Sequence, residues 1–317
     1  MSFVTLTGTL RDGRTLTLNE CIDFSFSKDR YSATQVFDGK FVIDFFSRQF
    51  SSVSIKIMGH TVLTGYVEKQ DCKRDAGLNI LTIRAKSYSS LLESNHIQPG
   101  VYNNLSIPNT IINYASDIRG VSLGPGSDTI SSIVFADWTT VFDAVRNISI
   151  RVYGVYPFVT MGNQIRTSMA MNPKTIALTA SKIIDVGEKW DTSSLISTIY
   201  MKDINGNPAA YSRSCAYTQS LNIVRKKHIA LMTDWLDNIN AGLEFKLNMA
   251  RKRCHTYTVS YNGYNGEDIY DTVSFPNGYL GTMTSFLISA IEIKGNDRTI
   301  KTSVFHFDDY YNSVMRS

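Results

Sequence analysis

The sequence predicts an α+β fold rich in β structure, with a β region near each end of the chain and a small α-containing region inserted between them. Three observations lead to this prediction. Apolar and polar residues alternate with a period of two in both terminal regions, the period becomes helical in the middle, and aromatic residues are abundant, with 17 Tyr and 16 Phe among 317 residues. We therefore divide the chain into residues 1–90, 91–190 and 191–317.

The amino-terminal region is predicted to consist of successive strands that end in a hairpin. The predicted strands cover residues 5–10, 15–19, 41–46, 53–58, 61–69 and 79–86. In the last of these strands apolar and polar residues alternate, so one face is expected to be buried and the other solvated. The polar positions of that strand are Thr82, Arg84 and Lys86.

The middle region is predicted to contain two amphipathic helices. The first covers residues 108–119, where apolar residues recur at helical spacing from Ile111 onwards, and Gly120 is its expected stop. The second covers residues 138–151, with Asp137 as the expected N-cap. The change of period marks this region as a separate α-containing unit.

The carboxyl-terminal region begins with two predicted strands, residues 195–202 and 217–224. A helix follows at about residues 229–249, because Trp235 and Leu243 belong to a single apolar stripe at helical spacing. A basic segment, Arg251, Lys252 and Arg253, comes directly after this helix.

The chain returns to β structure after the basic segment. Two alternating sets of residues predict two faces of one strand: His255, Tyr257, Val259 and Tyr261 on one, and Cys254, Thr256, Thr258 and Ser260 on the other. Residues 285–294 and 299–307 are predicted to form the final hairpin, joined by a turn over residues 295–298.

Charge, hydropathy and cysteine spacing exclude several classes of protein. The 32 basic residues exceed the 28 acidic ones by too little to indicate binding to nucleic acid or to a membrane surface. A basic leader and a long apolar run are absent from the sequence, which predicts a protein made in the cytosol. Cys21, Cys72, Cys215 and Cys254 are far apart, which argues against a zinc or redox motif and favours inert, buried thiols.

Three patterns that could be catalytic are better explained otherwise. Ser122 lies in a G-x-S-x-G match, but a predicted helix precedes the motif, so the strand-to-helix elbow of a hydrolase is not expected. The acidic pairs at residues 267–268 and 308–309 are interpreted as solvated turns. The five histidines lack metal-ligand spacing. We predict no catalytic residue, cofactor or metal, and therefore a structural protein, not an enzyme.

Three stretches resemble one family when their order is considered. Residues 62–67 with 81–92 are similar to its strand hairpin that leads into a Ser-rich helix, the helices at 108–119 and 138–151 to its small intervening domain, and residues 230–307 to its closing module. The family is that of the baseplate hub proteins of contractile-tail phages and tailocins, which are related to the spike-hub proteins of type VI secretion.

This resemblance implies a homotrimer in which each chain contributes two tube-like domains, β-barrels or β-sandwiches, with the small α-containing domain on the outside. Such a ring has pseudo-sixfold symmetry, joins the sixfold tail tube to the threefold spike and continues the tail channel. The implied partners are the central spike, the tail tube or tube-initiator protein, the tape measure protein and the baseplate wedge proteins. DNA is met only in transit, stable membrane association is not expected, and the location is the virion tail baseplate, assembled in host cytoplasm.

Two polar strand faces are the candidates for lining the channel: Thr82, Arg84 and Lys86 on one, Thr256 and Thr258 on the other. Ordinary solvent-exposed sheet faces would explain the same pattern. The basic segment Arg251–Arg253 is a candidate contact with a partner.

Two other functions remain open at this stage. The first is a receptor- or carbohydrate-binding β protein of the tail tip, which would present aromatic side chains; its candidates are Tyr261, Tyr264, Tyr270 and Tyr279. The second is a cell-wall hydrolase that depends on Ser122.

Overall fold

Seven strands, paired antiparallel throughout, form the amino-terminal part of the structure. The computed structural model describes residues 3–44, 49–124, 126–168 and 173–316. The strands are β1 (Val4–Leu10), β2 (Thr15–Leu18), β3 (Cys21–Asp29), β4 (Gln35–Ile43), β5 (Phe50–Ile57), β6 (His60–Asp75) and β7 (Leu78–Ser87), followed by a 3-10 helix over Tyr88–Glu93. Sequence patterns miss β3. The strand predicted at 41–46 matches the end of β4, and its last two residues lie outside the described part of the chain.

The middle part contains both predicted helices. Its elements are β8 (Gly100–Ser106), α1 (Ile107–Ala115), β9 (Ser122–Leu123), β10 (Thr129–Phe135), α2 (Val141–Tyr153), β11 (Phe158–Val159), β12 (Gln164–Arg166) and β13 (Thr175–Ala177). Helix α2 is capped by Thr140 and not by Asp137, because the Thr140 hydroxyl accepts from Asp143 N at 3.0 Å and Asp143 Oδ2 accepts from Thr140 N at 3.4 Å. Helix α1 ends before Gly120, which follows in a left-handed turn with φ of 74°.

The carboxyl-terminal part combines strands with three helices. Its elements are β14 (Ile183–Trp190), β15 (Thr198–Met201), β16 (Tyr211–Ser214), α3 (Ala216–Ser220), β17 (Lys226–Ile229), α4 (Ile239–Arg251), β18 (His255–Asn262), β19 (Thr272–Ser274), β20 (Ser285–Leu287), β21 (Ala290–Gly295), β22 (Ile300–Phe307) and α5 (Tyr310–Arg316). The predicted β-rich α+β class is confirmed.

Three elements of this part differ from the prediction. The strand at 217–224 is wrong, since helix α3 occupies its first half and the Thr218 hydroxyl bonds back to Cys215 O at 2.7 Å. The helix at about 229–249 begins only at Ile239, where the Asn238 side chain accepts from Ala241 N and caps it. The strand at 285–294 is two strands, β20 and β21, which belong to different sheets.

Both ends of the chain contribute to a single sheet of eleven strands, the main sheet. Its order is β14-β18-β22-β21-β3-β4-β7-β6-β5-β1-β2, and every neighbouring pair is antiparallel. The two β regions join where β21 pairs with β3, from Ala290 opposite Asp29 to Gly295 opposite Phe24. The short segment between β2 and β3 also contacts β4, where Val42 N donates to Glu20 O at 2.9 Å.

Eight of the eleven strands of the main sheet form a four-strand unit that occurs twice. The amino-terminal module consists of β3, β4, β6 and β7, and the carboxyl-terminal module of β14, β18, β21 and β22. If the strands of each module are numbered in sequence order, their order across the sheet is first, second, fourth and third in both modules. The two modules follow one another across the sheet in the same direction. A shift along the sheet therefore superposes one topology on the other.

Local details repeat with the topology. The first strand of each module has a β-bulge at an exposed isoleucine, Ile22 in β3 and Ile184 in β14. An equivalent row of cross-strand neighbours starts at the aspartate after each bulge and crosses the four strands of its module. The row consists of Asp23, Lys40, Thr82 and Asp71 in the amino-terminal module, and of Asp185, Ser260, Ser303 and Glu292 in the carboxyl-terminal module. Each row ends in the same ion pair two residues along the strand, Asp71 with Lys73 at 3.1 Å and Glu292 with Lys294 at 2.8 Å.

Most of the buried apolar residues of the main sheet lie on one side and form the largest core. Phe26, Phe37, Ile83 and Val304 are among its buried members, and residues of the small β13–β19–β20 sheet pack against it. A second core surrounds α1 and α2, and a third lies between α4 and the β15–β16–β17 sheet. Burial of this side leaves the opposite side of the main sheet polar.

A buried ion pair fastens the junction of the two modules. Arg30, directly after β3, has its guanidinium 3.6 Å from Asp309, which follows β22, and both side chains are almost fully buried. Arg30 also bonds to Asn312 Oδ1 and lies over the Tyr270 ring at 5.0 Å. Asp309 accepts from the Tyr31 hydroxyl at 2.5 Å. Burial raises the pKa of Asp309, and the nearby Arg30 charge opposes that rise.

Candidate functional site

The candidate site is the polar face, meaning the side of the main sheet opposite its apolar core. Lys86 on β7 begins a row of residues paired strand by strand that ends at Ser260 on β18, through Val36, Ser27, Glu292 and Ser303. Thr82, Arg84 and Lys86 therefore lie on the same face as Thr256 and Thr258. Five strand spacings separate the two sets, about 24 Å in all, so they share a surface without touching.

Cations on the amino-terminal half of this face are held by neighbouring carboxylates. Glu68 lies at 3.2 Å from Arg84 and 2.5 Å from Lys86, and Asp38 lies 3.8 Å from Arg84. The hydrogen bond from Lys86 lowers the pKa of Glu68, so this carboxylate stays ionised at neutral pH. Arg84 and Lys86 are thus locally neutralised.

The same pattern continues across the face. Lys40 lies 3.5 Å from Asp23, and Lys294 lies 2.8 Å from Glu292 on the carboxyl-terminal module. Binding to a polyanion needs cations that can replace its counterions. Paired charges interspersed with threonine and serine do not favour such binding.

A shallow groove of about 670 Å³ lies on the polar face where the modules meet. Thr256 and Thr258 line one of its sides, and Ser27 and Asp29 line another. Phe305 and Phe307 of β22 supply its apolar floor.

The basic segment at the end of α4 does not form one outward-facing cluster. The Arg251 guanidinium lies 4.2 Å from the centre of the Tyr217 ring, and the Lys252 ammonium lies 5.3 Å from that of Tyr31. Burial lowers the pKa of Lys252. Arg253 bonds to Asp29 and is the member of the segment that lines the groove.

The catalytic candidates do not form a hydrogen-bonded site within the described residues. Ser122 is exposed in β9, its backbone N–H donates to Asn163 O, and within the described residues its hydroxyl bonds to neither a histidine nor a carboxylate. The solvated turns predicted for the acidic pairs are wrong for Glu267, which is fully buried and accepts from Asn265, and for Asp309, which faces Arg30. Both buried carboxylates serve internal packing.

Tyrosines proposed for sugar binding face the interior. Tyr261, Tyr264 and Tyr270 are buried, and Tyr279 is half-buried against the main core. Burial raises the pKa of all three buried phenols. The aromatic surface that carbohydrate binding requires is therefore not built from these residues.

Metal-ligand side chains and thiols are scattered across the described ranges. No group of three histidine, cysteine or acidic side chains there is arranged to hold a metal ion. Cys21, Cys215 and Cys254 are buried, as predicted, and Cys72 is half-buried. Among the same residues, no helix is long and apolar enough to span a membrane.

Sequence reasoning missed the repeated row that ends in Asp71 and Glu292. A signal was present, because Ile22-Asp23 and Ile184-Asp185 are the same dipeptide at the same place in each module. Two residues are too few to recognise as a repeat without the strand pairing.

Solved structures with the same fold include several tail proteins. A 43 kDa tail protein of prophage MuSo2 from Shewanella oneidensis is 13% identical, with a TM-score of 0.71 and 99% of each chain covered. A tail protein from Neisseria meningitidis MC58 is 16% identical, with a TM-score of 0.70 and 96% of each chain covered.

A more distant likeness extends to type VI secretion. The Escherichia coli c3393 protein, described as a type VI secretion component similar to T4 bacteriophage tail proteins gp27 and gp5, is 9% identical, with a TM-score of 0.57 over 92% of this chain and 74% of that one. No protein-family model matches the sequence, and no curated protein matches it. The chain has the fold of phage tail proteins, as the resemblance in its sequence indicates.

Proposed function

We propose that this chain is the structural baseplate hub of a phage tail or tail-like injection particle. Three copies form a ring of pseudo-sixfold symmetry that joins the sixfold tail tube to the threefold spike and continues the tail channel. The observation that carries this proposal is the tandem repeat of one four-strand module within a single continuous sheet.

The repeat suits a protein that must match two symmetries. Three chains with two equivalent modules each present six similar units on one side of a ring, while the remainder of each chain occurs only three times. A sheet that continues from chain to chain also pairs strand edges that would be open to aggregation in a single chain. The tail proteins that share this fold support the assignment to a tail.

In this ring the polar face lines the channel, including Thr82, Arg84, Lys86, Thr256 and Thr258. The ion pairs of Arg84 and Lys86 with Glu68 keep this surface close to neutral, so DNA and the tape measure protein pass without being held. The apolar side carries the remaining elements outward, where the α-containing region meets the wedge proteins.

The remaining assignments follow from this role. The division at residues 90 and 190 is retained, except that β14 joins the carboxyl-terminal domain because it pairs with β18. The spike and the tail tube or its initiator bind at opposite ends of the ring, and Arg253 at the groove is a candidate contact residue. The chain acts as a scaffold without catalysis, in the tail baseplate of a particle assembled in host cytoplasm.

Sedimentation equilibrium of the purified chain over a wide concentration range tests the proposal. We expect association that stops at three copies of the 35.5-kDa chain. A chain that remains monomeric, or that associates without limit, contradicts it.

A further inference from the structure

The small sheet beside helix α4 has an edge strand that faces solvent. Its order is β16-β15-β17, and β17 (Lys226–Ile229) lies parallel to β15 at one edge. Within the described ranges β17 pairs with β15 alone. Lys226, Lys227 and His228 are all exposed, so the open edge of β17, called here the basic edge, is accessible along most of the strand.

The backbone of the basic edge offers hydrogen-bonding groups to a further strand. Arg225 O, directly before β17, and Ile229 O accept from N–H groups on the β15 side at 2.8 and 3.4 Å. Because the bonded residues of a parallel strand alternate, Lys227 also turns its backbone toward β15. The N–H and C=O groups of Lys226 and His228 therefore point outward, where an incoming strand can bond to them.

Positive charge accumulates at this edge. Residues 204–233 contain four lysines and arginines and no acidic residue. Both arginines are used inside the chain, since Arg213 forms an ion pair with α4 at 3.3 Å and Arg225 donates to backbone carbonyls ahead of β15. Within the described residues Lys226 and Lys227 form no ion pair. These two charges differ in this respect from Arg84 and Lys86 on the polar face.

We propose that the basic edge binds an extended acidic segment of a partner protein, which adds to the small sheet as a fourth strand. The outward backbone groups of Lys226 and His228 hold the segment in place, as in other cases of strand addition. Its carboxylates lie opposite Lys226 and Lys227, where unlike charges stabilise the pairing. The inference is independent of the proposed ring, because the small sheet is separate from the main sheet.

Other occupants suit the basic edge less well. The same edge of a second copy would set lysine against lysine, which destabilises a strand pair, and lysines on an edge prevent such self-association. Two unpaired lysines release too few counterions to hold a polyanion tightly. A phosphate backbone also has no N–H group for the outward carbonyls of Lys226 and His228. An acidic peptide strand satisfies both the charges and the backbone.

Side chains near the edge indicate what else the segment contains. The His228 ring stacks on Tyr200 at 4.9 Å between ring centres, and Val224, two residues before the strand, is 77% exposed. Successive residues of a strand point to opposite sides, so Lys226 and Lys227 lie on different sides of the sheet. Two adjacent carboxylates are needed to meet them, and β-branched residues beside these favour an extended segment.

Peptide binding to the full chain tests the proposal. The probe is a fluorescein-labelled acetyl-Thr-Val-Glu-Glu-Val-Thr-amide, followed by fluorescence anisotropy, and its control has lysine in place of both glutamates. We expect the glutamate peptide to bind and the lysine peptide not to bind. Lys226→Glu and Lys227→Glu should each weaken binding roughly tenfold. Lys246→Glu, the same charge change at an exposed position of α4, should leave binding unchanged.

A second pair of variants separates strand addition from charge attraction. His228→Pro removes an outward N–H group and no bond within the sheet, a change that edge strands tolerate, and both lysines remain. It should weaken binding roughly tenfold, whereas His228→Ala should bind nearly as well as the unchanged chain. Circular dichroism verifies that both variants are folded.

Three results overturn the inference. The first is failure of the glutamate peptide to bind the unchanged chain, and the second is equal binding by His228→Pro and His228→Ala. The third is equal binding of both peptides. Displacement of the peptide by heparin, together with the second result, would show that the edge attracts anions in general. A chain that forms the expected trimer in any of these cases leaves the proposed ring standing.

Discussion

Replacing Arg30 by Met should be one of the most damaging single changes at the module junction. The Arg30 and Asp309 side chains are 0% and 1% exposed, and their charged groups lie 3.6 Å apart. Removing one partner of a buried ion pair costs about 3–5 kcal/mol, because the other charge stays buried without compensation. The variant should lose stability by this amount at pH 7.5, measured by urea unfolding followed by circular dichroism.

The dependence on pH follows from Asp309. Its pKa in the folded chain is already raised by burial, and loss of Arg30 raises it further. When folding raises the pKa of a carboxyl, its contribution to stability is complete below the pKa that it has in the unfolded chain, about 3.9. This contribution is lost as the pH rises through the pKa that it has in the folded chain. The penalty of Arg30→Met should therefore shrink as the pH is lowered from 7.5 to 5.

Two further variants separate this reasoning from a general loss of packing. Adding Asp309→Asn to Arg30→Met should recover most of the stability at pH 7.5, because no charge then remains buried. Arg253→Met breaks the exposed pair with Asp29 at the same junction and should cost under about 1 kcal/mol. If Arg30→Met costs no more than Arg253→Met, or costs the same at both pH values, the account of this junction is wrong.

Three other changes test separate parts of the fold. Gly65→Ala would place a Cβ 1.8 Å from Lys86 O, so it should lower the melting temperature markedly, whereas Gly187→Ala, with nothing within 4 Å, should leave it almost unchanged. Thr140→Ala removes the capping box of α2 and should cost about 1 kcal/mol in urea unfolding. The raised pKa values of Tyr261, Tyr264 and Tyr270 mean that stability is retained below about pH 10 and lost above it; their absorbance change should coincide with alkaline unfolding, and gradual ionisation of the folded chain would argue against their burial.

Local patterns in the sequence predict many elements well. The alternation of Leu81, Ile83 and Ala85 with polar residues identifies β7, and regular apolar spacing identifies α1 and α2. These signals work because each element has one buried side and makes most of its contacts through that side.

The errors have physical causes. Strand β3 is missed because the bulge at Ile22 breaks its alternation and because Lys28, which looks solvent-exposed, is buried against Asp268. Helix α4 is predicted to start too early because the apolar residue Trp235 packs from a 3-10 turn before the helix.

The joining of the two β regions was outside the reach of local patterns. Pairing of β21 with β3 links residues more than 250 positions apart, and its register depends on the bulges and turns of both modules. The polar faces could be predicted one at a time, from Thr82 to Lys86 and from Thr256 to Thr258. Their union on a single surface appears only in the pairing of the intervening strands.

Electron cryomicroscopy of the purified, associated chain tests the central claim most directly. We expect three copies whose six modules form one closed sheet, with Thr82, Arg84, Thr256 and Thr258 facing the central channel. A ring with another number of copies, or one in which the two modules of a chain do not alternate around the channel, would contradict the account.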